Sequence, residues 1–87
     1  MRYRITGRVQ GVGFRFFART AARRLGVQGW VRNCADGSVE ALAVGSQDQL
    51  QAFEEALRRG PAAGHVSAVE ASAGTGEVAG DTFEIVY

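Results

Sequence analysis

The chain has 87 residues, of which 46% are hydrophobic and 22% charged, and its net charge is +1. That length fits one domain, residues 1–87, able to bury roughly 60% of the surface its unfolded chain exposes. The balanced charge and ordinary composition exclude a basic nucleic-acid arm and a disordered tail.

Residues 2–10 alternate, with Tyr3, Ile5, Gly7 and Val9 on one side and Arg2, Arg4, Thr6, Arg8 and Gln10 on the other. A period of two predicts a half-buried strand. Gly11, Val12 and Gly13 break the pattern, and from Phe14 the period becomes helical. Phe14, Phe17, Ala18, Ala21, Ala22 and Leu25 form an apolar stripe at spacings of three and four, closed by Gly26 as a C-cap.

Residues 27–34 read as a second strand centred on Trp30 and Val31. Asp36-Gly37 is a strong hairpin signal, and residues 38–45 return as a third strand. Ser46 with Gln49 forms a capping box, which opens a helix with Leu50, Phe53, Ala56 and Leu57 inward. The pairs Glu54–Arg58 and Glu55–Arg59 support its wet face. Gly60-Pro61 ends it. Residues 65–71 predict a fourth strand, 72–80 a glycine-rich loop, and 82–87 a short last strand with Phe83 and Ile85 inward.

The order βαββαβ plus a short C-terminal strand predicts an α+β, ferredoxin-like sandwich. Its sheet is mostly antiparallel, with both helices on one face. No apolar run approaches the roughly 20 residues that span a bilayer, and residues 1–6 carry no hydrophobic signal segment. The single Cys34 has no internal disulfide partner, which points to a reducing cytoplasm. One His65 and one Cys34 argue against a His/Cys zinc site, so no metal is expected.

Chemistry concentrates at Gln10, Gly11, Val12, Gly13, Phe14 and Arg15, where a strand ends and a helix begins. The first amides of a helix lack internal partners and carry the positive end of the helix dipole. Curled around an anion, they form a phosphate cradle, and Gly11 and Gly13 remove obstructing Cβ atoms. Arg15, in the first turn, leans back over the cradle and can bind two phosphate oxygens. The plain alternative is a tight turn beside a solvated arginine. No Gly-Lys-Ser/Thr follows, so no nucleotide is implied. Asn33, at the end of the second strand, is either a turn residue or an amide able to orient a water.

Gly7-Arg8-Val9-Gln10-Gly11-Val12-Gly13-Phe14-Arg15 resembles the first signature of the acylphosphatases. Gly29-Trp30-Val31-Arg32-Asn33, followed by Asp36-Gly37-Ser38-Val39-Glu40 and Gly45, resembles the second. The resemblance runs along essentially the whole chain. It implies a metal-free, cofactor-free hydrolase of acyl phosphates such as acetyl phosphate, carbamoyl phosphate and 1,3-bisphosphoglycerate. It also implies that the backbone of residues 10–15 and the Arg15 side chain hold the phosphoryl group, and that Asn33 orients the attacking water. Inorganic phosphate or sulfate would fit the same cradle. Two departures stand out. Cys34 occupies a position where the family more often has threonine or an aliphatic residue, and loop 72–80 is rich in glycine and alanine.

An acyl phosphate expels a carboxylate, whose conjugate acid has a pKa of about 4, so the reaction needs no general acid. This suits a chain poor in catalytic side chains. Arg19 and Arg23 read as a solvated face, Phe14, Phe16 and Phe17 as core and edge packing, Trp30 as packing, His65 as a strand-start residue, and Cys34 as an inert thiol. The expected protein is a monomer that acts on a small molecule, without nucleic acid or membrane. Two alternatives are a silent anion-binding module and an RNA-binding module. Residues 11–17 mimic the aromatic RNA motif, but that motif belongs on a central strand.

Overall fold

The computed structural model describes residues 1–74 and 81–87. Its elements are β1 (Arg2–Arg8), α1 (Phe14–Leu25), β2 (Gln28–Asn33), β3 (Val39–Val44), α2 (Gln47–Arg59), β4 (His65–Ser72) and β5 (Phe83–Ile85). Of the expected glycine-rich loop, Ser72 instead closes β4, and residues 75–80 lie outside the described residues.

The five strands form one sheet in the order β4-β1-β3-β2-β5. β1 pairs antiparallel with β3 and β4, and β2 pairs antiparallel with β3. Only the short β5 runs parallel to its neighbour, β2. The ferredoxin-like order and mostly antiparallel sheet are therefore as expected. β1 ends two residues earlier than its alternation predicts. Its register against β4 shifts between Thr6 and Gly7, which turns Gly7 out of the inward row. Val9, beyond the strand's end, is nevertheless buried.

Both helices lie on one face of the sheet, because their inward residues share a single core. Phe14, Ala18 and Ala22 of α1 and Phe53 and Leu57 of α2 join Tyr3, Ile5, Val31, Ala41, Ala43, Val69 and Phe83 from the strands. Phe53 is the hub. Its ring meets Tyr3 edge-on at 5.7 Å and Phe83 at 5.5 Å between centroids, arrangements favoured by the ring quadrupoles. Phe83 thus carries β5 into the core although that strand is only three residues long.

The helix ends follow their sequence signals. Gly26 caps α1 in a left-handed conformation, and the Ser46–Gln49 capping box forms in both directions, at 3.2 and 2.8 Å. Glu54 and Arg58 pair at 3.1 Å, but among the described residues Glu55 and Arg59 form no ion pair. Arg23 departs from its expected role as a solvated residue: it donates to the Phe83 carbonyl at 3.2 Å and pairs with Glu84 at 2.8 Å, which ties α1 to β5. Trp30 lies on the sheet face opposite the helices, with the Arg2 and Arg32 guanidinium groups 5.7 and 5.3 Å from its ring. Among the described residues, no helix is long and apolar enough to cross a membrane.

Gly29 is the tightest backbone approach in the sheet. It has φ +143°, and a Cβ there would lie 1.8 Å from the Leu42 carbonyl oxygen of β3. Gly29→Ala must therefore push β2 off β3 as well as strain the backbone. We expect it to cost about 2–4 kcal/mol in urea unfolding. A loss below about 0.5 kcal/mol, the range of neutral surface changes, would show that the contact is not binding.

Candidate active site

The site forms where β1 hands over to α1. Gly11 and Gly13 have φ of +74° and +77°, a left-handed conformation that L side chains adopt at a cost. A Cβ built at either position meets nothing within 4 Å. Glycine is thus favoured here for its φ, and no protein atom crowds either position.

Gly13 is the N-cap of α1 and offers no capping side chain, and no acidic residue stands in the first turn. The contrast with α2 is direct. There the capping box satisfies the leading amides and Asp48 answers the dipole. At α1 the first turn keeps its amide donors and its positive end free of side-chain partners.

The β1–β3–β2 arrangement brings the end of β2 beside this loop. A concavity of about 100 Å³ is lined by Val9, Gly11, Gly13, Phe14, Arg15, Phe16 and Asn33. Four of the six expected loop residues therefore share one hollow with Asn33. Gln10 and Val12 do not line it. Val12 packs against the core. The Gln10 side-chain amide donates to the Cys34 carbonyl at 2.7 Å and to the Ser38 carbonyl at 2.8 Å. These two bonds clamp the loop to the hairpin that follows Asn33. The spacing of 24 and 28 residues leaves no local signal for them.

The hairpin is fixed from its own side as well. The Cys34 amide donates to the Ser38 carbonyl at 2.8 Å. The Asp36 carboxylate accepts from the Ser38 hydroxyl at 2.6 Å and from its amide at 3.0 Å, and pairs with Arg4. The Ser38 hydroxyl and amide, then Arg4, hold the Asp36 pKa down to about 2 from its ordinary 3.8. Asp36 therefore stays ionised, and its turn stays closed, at any pH well above that value.

Arg15 is half-buried at the hollow's wall, and its guanidinium lies 5.0 Å from the centre of the Tyr87 ring. A ring at that distance restrains the side chain by cation–π attraction. The sequence offered no sign of this partner, which comes from the far end of the chain. Asn33 is the last residue of β2 and is exposed. Phe14 is buried as expected, but Phe16 is 52% exposed and does not pack into the core. The aromatic stretch of residues 11–17 occupies the loop and the start of α1, not a strand. It therefore does not display rings from the sheet as an RNA-recognition module does.

The protein is a ferredoxin-like α+β domain with a small hollow at one uncapped helix start. More particularly, the chain belongs to the acylphosphatase family, whose family model matches residues 1–85. An acylphosphatase of Rhizobium etli is 61% identical over 70 residues, covering 80% of this chain and 74% of that one. An acylphosphatase of Bifidobacterium longum is 65% identical over 65 residues, covering 75% and 67%. The crystal structure of the acylphosphatase from Bacillus subtilis superposes with a TM-score of 0.91 at 40% identity, covering 99% of this chain and 96% of that one.

The Gln10 clamp gives a direct test. Gln10→Ala removes both bonds to part-buried carbonyls, and we expect a loss of about 1–3 kcal/mol, with lowered acetyl phosphate turnover as Asn33 loses its register with the loop. Urea unfolding and steady-state kinetics on the same preparation check this. Parent-like stability and rate would show that the clamp is dispensable.

Proposed function

We propose that this chain hydrolyses acyl phosphates to a carboxylate and inorganic phosphate, using the loop of residues 10–15 and Arg15 to hold the phosphoryl group and Asn33 to orient the water. The observation that carries this reading is the meeting of an uncapped helix start, Arg15 and Asn33 around one small hollow. Its volume of about 100 Å³ suits a small anion such as a phosphoryl group.

The chemistry asks little more of the protein. Phosphoryl transfer passes through a loose transition state with charge on the equatorial oxygens. The first-turn amides of α1 and the planar fork of Arg15 are donors for those oxygens. Because they are fixed before substrate arrives, little reorganisation opposes the step. Asn33 accepts from the water with its carbonyl oxygen or donates with its amide, aligning the water opposite the leaving carboxylate. The water oxygen bonds to phosphorus as the phosphorus–oxygen bond to the acyl group breaks. The carboxylate leaves with the electron pair and needs no proton from an acid.

The same reading takes residues 1–87 as a single domain working as a cytoplasmic monomer, with no cofactor, nucleic acid or membrane in the reaction. The half-buried, unbridged Cys34 suits a reducing compartment. Inorganic phosphate or sulfate would occupy the hollow in competition with substrate. Among the described residues, no group of three His, Cys, Asp or Glu side chains converges as a metal site would require. Hydrolysis of acetyl phosphate is accordingly expected to survive exhaustive chelation. Loss in EDTA, with recovery on adding a divalent cation, would overturn the metal-independent mechanism.

Arg15→Ala and Asn33→Ala should fail differently. Arg15 touches the phosphoryl group in both ground and transition states, so its loss weakens phosphate inhibition and lowers turnover by about 100- to 1,000-fold. Asn33 acts on the water, so its loss lowers kcat while phosphate affinity is largely kept. Both side chains lie outside the core, so both variants stay folded. Turnover, phosphate inhibition and thermal unfolding on the same preparations decide the matter. A folded Arg15→Ala with parent phosphate affinity, or a folded Asn33→Ala with parent kcat, removes that residue from the mechanism.

A further inference from the structure

The phosphoryl hollow leaves the rest of the substrate without a place. At about 100 Å³ it suits a small anion such as a phosphoryl group, so the acyl group must extend past its rim. Most of that rim is loop glycine, buried apolar residues, Arg15 and Asn33. The exception is Phe16, an aromatic residue left 52% exposed on a helix that buries Phe14, Ala18, Ala21 and Ala22.

Phe16 also lines a second, larger depression. This groove, of about 330 Å³, runs along α1 past Phe17, Thr20 and Ala21 to Arg24 and to Arg59 of α2. Phe16 is the residue the hollow and the groove have in common. Helix geometry accounts for this. At 100° per residue, Thr20 and Arg24 follow Phe16 along one side of the helix, while Arg15 and Arg19 fall on the other side. The Arg19 guanidinium lies 5.1 Å from the Phe16 ring centre, on that other side. A cation at this distance restrains the ring, and the residue remains exposed.

Resting on the reading of the hollow as the phosphoryl site, we propose that Phe16 and the adjoining groove form the acyl-binding subsite, selective for apolar acyl groups of about benzoyl size over acetyl. The occupant follows from the shared wall: Phe16 lines both depressions, so a group tethered to phosphorus in the hollow reaches its ring at the rim. The groove's volume exceeds the hollow's about threefold, so it admits a ring. An aromatic acyl group gains offset or edge contact with Phe16, whereas a methyl group is too small to reach along it. Phe16 is thus a specificity residue that touches the non-reacting part of the substrate.

The test compares benzoyl phosphate with acetyl phosphate on the full chain and on Phe16→Ala and Phe16→Trp. Alanine at an exposed helix position favours the helix, so Phe16→Ala folds, as thermal unfolding will show. We expect the ratio of kcat/KM for benzoyl over acetyl phosphate to fall by about 3- to 10-fold in Phe16→Ala, the range of one aromatic pair. The fall should appear mainly in KM, and Phe16→Trp should restore the ratio. Comparing each variant with the parent on the same two substrates cancels their different leaving groups. An unchanged ratio in Phe16→Ala, or an equal loss on both substrates, overturns the subsite. So does a weakened competitive inhibition by inorganic phosphate, since that would place the effect in the loop. If the parent chain hydrolyses neither acyl phosphate, the phosphoryl site itself is wrong and the subsite falls with it. If the parent hydrolyses both and only the ratio test fails, the phosphoryl site stands without it.

Discussion

Two hydrogen bonds from one side-chain amide join the halves of this site. Gln10 donates to the carbonyls of Cys34 and Ser38, and those carbonyls belong to the turn that begins where Asn33 ends. The loop of residues 10–15 and Asn33 come from separate segments of the chain, and the strand order that sets β3 between β1 and β2 brings them to one hollow. The sheet brings the two segments side by side, and Gln10 ties them together. Preorganisation of this kind matters most for a reaction whose catalysis is largely positioning and electrostatics.

The two helix starts show how the same backbone problem receives opposite solutions. α2 begins with a serine and a glutamine that answer each other's orphan groups. α1 begins with a glycine in a left-handed conformation and leaves its first amides without side-chain partners. With glycine at the cap this forfeits only about a few tenths of a kcal/mol. Other contacts compensate: Phe14 is buried directly behind the first turn, and Arg23 anchors the far end of the helix to β5. The helix is held by its packing, so its tip can be left to the ligand.

Around the loop the aromatic residues divide their labour by burial. Phe14, Phe53, Tyr3 and Phe83 are core, and their edge contacts lock both helices onto the sheet. Tyr87 and Phe16 stand outside it, one beside the Arg15 guanidinium and the other beside Arg19. A guanidinium next to a ring keeps its charge while losing some freedom. Arg15 and Arg19 are each restrained by an aromatic ring in this way.

Much of this was already legible in the sequence, because it depends on local physics. Period two in residues 2–10, period three to four from Phe14, the Asp36-Gly37 turn and the Ser46–Gln49 box each act over a few residues, and they set the element order and the ferredoxin-like class. The matching signatures around Gly11–Arg15 and Asn33 set the family in the same way. Tertiary structure decided what depends on distant neighbours. It placed the loop and Asn33 on one hollow, turned Gln10 toward the hairpin, gave Arg15 a ring from the end of the chain, and set Arg23 on β5. It also left Phe16 exposed where a helical stripe cannot tell an edge residue from a core one. Local periodicity fixes which way a residue points from its own element, but only the packing of several elements determines what it meets there.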